Sequence, residues 1–426
     1  MGAVTVTDAT PAGRVTLPEG EFERRVERVR EELAATDRDA LCLFSATAIE
    51  WVSGFHHLQT ERPVCLAVTD ETVAITVPRL EHDRAESAAF PLIERVYGYY
   101  DYPGVGDGLD DAESAAPRET YHEHRSRTPE ATIRAMLDDL GVERVAADAD
   151  GAPGHWGYSG PSLTELAGVD VETAEWITDW RKTKSDGEID LLRRSAEWGN
   201  LAHRELAEYA EPGRHELWVA KRASLDASMA MLDTLGERYD SRLRGGFPAS
   251  CGFLSGPNTA LPHGLTANRR LREGDVLVTG ATANVGGYVS ELERTMFLGE
   301  PSSEDRERFA AMLAAQTAAI EESGPGVACA HVDGAVHDVL ADRGFAEHAQ
   351  HHTGHNIGLE GHERGFIDRG SEEVMEPGHV YTIEPGIYVP DEAGYRHSDT
   401  ILVTEAGTER LTYFPRSLDE NVIPVR

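Results

Sequence analysis

Two glutamates, Glu291 and Glu293, flank Leu292 in the apolar stretch GGYVSELERTMF, residues 286–297. In a strand, alternate side chains share a face, so both carboxylates leave the segment on the same side. Burying two like charges is costly unless a cation, a proton or a donor comes with them. A metal site meets that requirement, and so does a metal-free acid/base site. Further residues able to do chemistry gather in the same half of the chain: His263 in LPHGLTANRRLREGD, the run QHHTGHNIGLEGHERG with His355 and His362, Glu384 in VYTIEPGIY, and the stretch YRHSDTILV. Glu384 stands between apolar neighbours and just before Pro385 and Gly386, where a carboxylate needs a partner. Gly354, Gly358 and Gly361 allow the histidine run the tight turns that aim particular side chains.

These residues need elements to position them. Strand-like segments fall at about 275–283, 286–298, 380–389 and 395–404, with helices at about 302–323 and 330–343 between them. They are preceded by the helix-forming stretches SDGEIDLLRRSAEWGNLAHRELAEYA, opened by a Ser or Asp cap, and HELWVAKRASLDASMAMLDTLG. Helix pairs inserted into a largely antiparallel sheet predict an α+β domain. The first part of the chain reads differently. A helix at 19–36 is followed by strands at 40–45, 64–70, 72–77 and 143–148, with a helix at 129–141 before the last, which predicts a smaller α/β domain. Residues 103–128, without periodicity, read as a surface loop. The character changes near 180, giving domains 1–180 and 181–426.

Composition restricts the function classes. Acidic residues number 75 against 40 basic ones, only three of them lysines, Lys182, Lys184 and Lys221, and the formal net charge is −35. Such a surface repels nucleic acid and anionic membranes, so neither is an expected partner. Arginine in place of lysine on a strongly acidic surface fits a halophilic chain kept soluble in concentrated salt. No apolar run of about 18 residues occurs, and the amino terminus has no basic region followed by an apolar block, so a cytoplasmic protein is expected. Cys42, Cys65, Cys251 and Cys329 show no paired spacing and read as core residues rather than as disulfides or a zinc cage.

The succession GDVLVTGATANVGGYVSELERT, HHTGHNIGL, EPGHVYTIEPGIY and GYRHSDTILVTEAGTERLT resembles the pita-bread superfamily of aminopeptidase P, prolidase, methionine aminopeptidase and creatinase, over about residues 188–414. The segment WRKTKSDGEIDLLRRSA is similar to the junction with a creatinase-type amino-terminal domain. The resemblance implies a pita-bread catalytic domain behind that smaller domain. The superfamily's peptidases hold two divalent ions through two aspartates, a histidine and two glutamates. Carried over residue by residue, those positions fall on Gly280, Glu291, His355, Glu384 and Ser398, so two of the five offer no carboxylate. Thr279 and Asp399 are adjacent, but a one-residue slip turns a strand side chain to the other face.

The metal-free members are expected to be the nearer model. GGYVSELERTMF is similar to the creatinase strand in which a glutamate, here Glu293, replaces threonine, and His263 has the spacing of creatinase's catalytic histidine. Ectoine hydrolase is a further metal-free relative. The resemblance implies a homodimeric hydrolase of a C–N bond in a guanidino, amidine or cyclic amidine acid, with no cofactor. His263 is then general base and acid, Glu293 and Glu384 receive the cationic N–H groups, and His355 and His362 orient the substrate. Glu291, Arg62 and Arg364 bind substrate, the arginines through its carboxylate. The alternative is an Xaa-Pro peptidase with one divalent ion on Glu291, His355 and Glu384. A third reading is a binding protein that has lost its activity, which retention of His263, Glu293, His355 and Glu384 argues against.

Overall fold

The computed structural model describes residues 14–87, 89–99, 128–150, 162–243 and 246–425. Of the stretch read as a surface loop, residues 103–127 lie outside these; Thr128 caps the helix that follows by accepting from the Ala131 amide. The described chain divides into two compact units, one of Pro18–Trp180 and one of Arg181–Arg426 with the short stretch 14–17.

The amino-terminal unit is α/β. Its elements are α1 (Glu19–Thr36), β1 (Ala40–Leu43), α2 (Ala46–Ser53), β2 (Cys65–Thr69), β3 (Val73–Pro78), α3 (Arg79–Ala85), β4 (Arg95–Tyr99), α4 (Pro129–Leu140), β5 (Arg144–Ala147), α5 (Leu163–Ala167), β6 (Asp170–Thr173) and α6 (Trp176–Trp180). Helix α1 buries Val26, Val29 and Leu33 on one stripe and ends where Asp37 turns left-handed. The sheet order is β4-β3-β2-β1-β5-β6, with β1 antiparallel to β2 and parallel to β5. Cys42 and Cys65 are buried in its core, and the four cysteines are free thiols.

The carboxy-terminal unit is α+β. It begins with α7 (Asp186–Tyr209), held by a capping box between Ser185 and Glu188, and α8 (Glu216–Leu235). Then come β7 (Ala249–Ser255), β8 (Val276–Val285), β9 (Tyr288–Val289), β10 (Leu292–Leu298), α9 (Ser303–Glu322) and α10 (Cys329–Asp342). The remaining strands are β11 (Gly354–Asn356), β12 (Glu363–Ile367), β13 (Val380–Ile383), β14 (Gly386–Val389), β15 (Ala393–Arg396), β16 (Ser398–Thr404), β17 (Gly407–Arg410) and β18 (Val422–Ile423). The main sheet runs β12-β11-β13-β16-β10-β8-β7 with antiparallel neighbours, and β14 pairs with β15 separately. Helices α7 and α8 pack Leu206, Val219 and Ala223 against Leu277, Leu292 and Met296 of the sheet. Helices α9 and α10 pack Met312, Ala315, Val332 and Val336 against Tyr381, Ile383 and Ile401. With its flanks covered, the sheet holds the ends of β10, β11, β13 and β16 in fixed register. No helix among the described residues is long and apolar enough to cross a membrane.

Candidate active site

The alternation read from the sequence places the two glutamates as expected, although Glu291 precedes the first residue of β10. Leu292 is buried in the core beneath the sheet, and Glu291 and Glu293 emerge on the other side. There they meet Glu384, which follows β13; one carboxylate oxygen of each of the three lies within 4.8 Å of the others. His355 on β11 completes the cluster, fully buried, its Nε2 3.0 Å from Glu384 Oε1. Gly354 is required beside it, because β11 runs so close to β13 that an added Cβ would lie 1.9 Å from the Thr382 carbonyl oxygen. Thr382 Oγ1 accepts from the His355 amide at 3.0 Å, and the Glu384 amide donates to the Thr353 carbonyl at 2.7 Å, which fixes both side-chain roots.

The electrostatics follow from three carboxyl groups in a desolvated space. Burial, then the charges of Glu384 and Glu293, push Glu291 up to about 8. Glu293 is likewise raised, by burial and then Glu384, with Arg396 working the other way. Burial also opposes the charge on Glu384, but His355 outweighs it and holds the carboxyl down to about 2. In return Glu384 and Glu291 overcome burial and lift His355 to about 9. Within the chain, protons and one guanidinium balance the carboxyl groups of the cluster.

Arg396, the last residue of β15, supplies that guanidinium. Its Nη2 donates to Glu293 Oε1 at 2.7 Å and its Nε to Oε2, a bidentate pair. Its Nη1 donates to Tyr388 Oη at 3.0 Å and to the Pro262 carbonyl at 3.1 Å. Around His355, the His362 ring stacks at 3.8 Å between centroids and 18° between planes, and His352 lies edge-on with its Nε2 3.9 Å from Glu384 Oε1. Burial, followed by the charge of His355, lowers His362 and favours its neutral form.

The residues fit a divalent cation. His355 Nδ1 donates to the Asn356 carbonyl at 3.0 Å, which turns Nε2 inward, where loss of its proton exposes a lone pair to a cation. Although Nε2 lies 3.0 Å from Glu384 Oε1, it is a buried nitrogen with no well-aligned hydrogen bond. Imidazole nitrogens and carboxylate oxygens that converge on Glu384 within 4.8 Å form a set of ligand atoms. Glu291, His355 and Glu384 are the residues that would hold the ion.

The other expected site residues are distributed as follows. His263 is exposed on the turn after Leu261, and its charge bears on both His351 and His362. Arg364 lies on the exposed face of β12 with Phe366, whose ring is 5.3 Å from His352. Arg62 belongs to the amino-terminal unit, where it pairs with Glu61 at 2.6 Å, whereas the cluster is built entirely from the carboxy-terminal unit. Thr279 and Asp399 turn away, to His203 and Arg294 respectively. Arg396, Tyr388, His351 and His352 were not singled out from the sequence. The available signal for Arg396 was its place two residues before Ser398, which puts it on the site face of an extended segment.

A covered antiparallel sheet with carboxylates and a histidine converging at its centre, preceded by a creatinase-type domain, defines a two-domain hydrolase of the pita-bread class. A model of metallopeptidase family M24 matches residues 190–405, and one of the creatinase/prolidase N-terminal domain matches residues 25–156; the chain belongs to metallopeptidase family M24. It is 33% identical over 397 residues to an Xaa-Pro dipeptidase of Pyrococcus horikoshii, covering 93% of this chain and 99% of that one. It is 37% identical over 266 residues to a probable dipeptidase PepE of Mycobacterium tuberculosis, covering 62% and 67%. Among solved structures, dipeptidase PepE from Mycobacterium ulcerans superposes with a TM-score of 0.74 at 26% identity, over 96% of this chain and 100% of that one. An Xaa-Pro dipeptidase from Bacillus anthracis shares the fold with a TM-score of 0.75 at 23% identity, over 95% and 100%.

These findings correct two expectations. The metal-free hydrolase of a guanidino, amidine or cyclic amidine acid is overturned by relatives named as an Xaa-Pro dipeptidase and a probable dipeptidase. The physical reason is visible in the site: the Glu293 carboxylate assigned to a substrate amidinium is already occupied, through both oxygens, by Arg396. The expectation of no cofactor is overturned by membership of a metallopeptidase family, and the inward-facing His355 Nε2 agrees with that correction.

Proposed function

We propose that this chain is a metal-dependent peptidase that cleaves Xaa-Pro dipeptides. The observation that carries the reading is the convergence of two ligand sets on Glu384, Glu291 with Glu293 on one side and His352 with His355 on the other, in a largely buried pocket. The dipeptidase relatives supply the substrate class.

A divalent ion bound there supplies Lewis acidity, polarising a carbonyl and activating a water. The protein's own residues do the rest. Ser398 Oγ donates to Glu291 Oε1 at 2.7 Å and orients that carboxyl group. The neutral His362, stacked on His355, and His263 on its turn present N–H donors to the substrate carbonyl and the leaving nitrogen. A cleft of about 680 Å³ opens beside Glu291 and Glu293; Phe247 and Ile357 give it an apolar wall, and Lys221 brings a positive charge suited to a peptide carboxylate.

The test is hydrolysis of Gly-Pro, Met-Pro and Gly-Gly by protein stripped of metal and reloaded with Mn, Co, Fe or Zn, with creatine and ectoine alongside. Turnover of the Xaa-Pro dipeptides, lost in chelator and regained on reloading, is expected. Activity indifferent to chelator, or no peptide turnover with any of the four metals, refutes the reading.

A further inference from the structure

We propose that Arg396 is a built-in cation standing in the place of a second metal ion, so that the site takes one divalent ion per chain. This rests on the metal-dependent reading above and specifies its stoichiometry. Three carboxyl groups share the site, and one divalent ion balances two of their charges. The third, on Glu293, is already matched by a guanidinium that holds both of its oxygens, each side chain 12% exposed. An arginine cannot surrender its charge at any pH the fold survives, which makes it a permanent occupant.

The strand register removes the donors a second ion would need. Glu293 on β10 stands opposite Gly280 on β8 and opposite Ser398 on β16. One flank therefore offers a hydrogen atom and the other a hydroxyl that is committed to Glu291. A Cβ built on Gly280 would already touch Glu293 Oε1 at 3.5 Å, so the Glu293 side chain leans into the room on that flank. The guanidinium is also tied down from behind. Tyr388 Oη accepts from it, and Tyr388 lies 2.8 Å from His351 Nε2, while its bond to the Pro262 carbonyl anchors the residue before His263. Arg396 thereby fixes the turn that carries His263 in addition to neutralising Glu293.

The experiment counts ions. Full-length protein is stripped with chelator, titrated calorimetrically with Mn²⁺, and its bound metal measured by mass spectrometry after gel filtration. The unmodified chain is expected to bind one Mn²⁺. Arg396→Met uncovers Glu293 and should tighten Mn²⁺ binding by at least about tenfold, whereas Arg396→Lys, which keeps the charge, should stay within about threefold of the unmodified chain. Two tightly bound ions in the unmodified chain overturn this inference and leave the peptidase reading intact. No bound ion overturns both. A folded Arg396→Met with unchanged affinity also overturns it, and if that variant does not fold, the count in the unmodified chain still decides.

Discussion

Glu363→Gln tests how the turn carrying His362 is anchored. The Glu363 carboxylate accepts from Lys184 Nζ at 2.9 Å and from Arg181 Nη2 at 2.6 Å, with side chains 5%, 1% and 10% exposed respectively. Burial raises a carboxyl group, but these two cations outweigh it and hold Glu363 down to about 2. Against an ordinary value of 4.5, that difference corresponds to about 3 kcal/mol of folded-state stability at neutral pH. Removing the charge strands the Lys184 ammonium in the interior, a change that costs about 3–5 kcal/mol in comparable buried pairs. For a domain of this size the expected fall in Tm is about 6–20 °C. Because the folded pKa is depressed, the contribution is complete above about pH 4.5 and is lost as pH falls toward 2. Thermal unfolding followed by circular dichroism at pH 7.5, 5 and 3.5 should therefore show a wide gap between variant and unmodified chain that narrows only at the lowest pH. Salt should leave the gap largely in place, since a buried pair is poorly screened. A shift below about 2 °C at pH 7.5, or a gap that widens on acidification, refutes the reasoning.

Two further outcomes follow from the cluster. His355→Ala and Glu384→Gln should each weaken Mn²⁺ binding by at least about a hundredfold, measured by titration calorimetry; a change below about tenfold in either removes that residue from the ligand set. Ion binding should also release protons. Glu291, pushed up to about 8, and His355, lifted to about 9, must both lose a proton to act as ligands, so loading at pH 7 should release close to two protons per ion. Calorimetry in two buffers of different ionisation enthalpy reads that number, and a release below about one-half contradicts the charge balance described.

The chain gave up its helices more readily than its short strands. Helix α1 occupies the whole predicted span, since its apolar stripe and acidic first turn act locally, and α7 begins at the Ser185 cap that the sequence displays. Strand β7, ASCGFLS, escaped because its small residues carry little strand preference and only pairing with β8 makes it extended. The HTGHN segment reads as a loop by composition, yet Gly354–Asn356 forms β11 because Gly354 lets the backbone press against β13. In the site, Glu291, Glu293, His355 and Glu384 were legible as charged or polar groups in apolar surroundings. Arg396 was not, since its partner Glu293 lies 103 residues away and only sheet register brings them together. That unseen pairing is also why an amidinium-binding role for Glu293 was attractive from sequence: its cation was present, but in the same chain.

The same two strands show why neighbouring residues divide into chemistry and support. Glu293 and Ser398 face the site, whereas Arg294 and Asp399, one residue further along, face the interior. Arg294 and Asp399 form a fully buried pair at 2.8 Å. Burying such a pair is unfavourable unless every polar atom finds a partner. Here Arg294 also donates to the carbonyls of Glu293, Ser398, Phe414 and Pro415, and Asp399 accepts from Thr412 and Gln316. Two of those carbonyls belong to Glu293 and Ser398 themselves. The interior pair thus grips the backbone directly beneath the site, so the spacing between Glu293, Ser398 and Glu291 does not depend on the site's own charges. Closely placed carboxyl groups can then stay in ligand geometry as their protons leave, because the opposite face of the sheet has already fixed the strands that carry them.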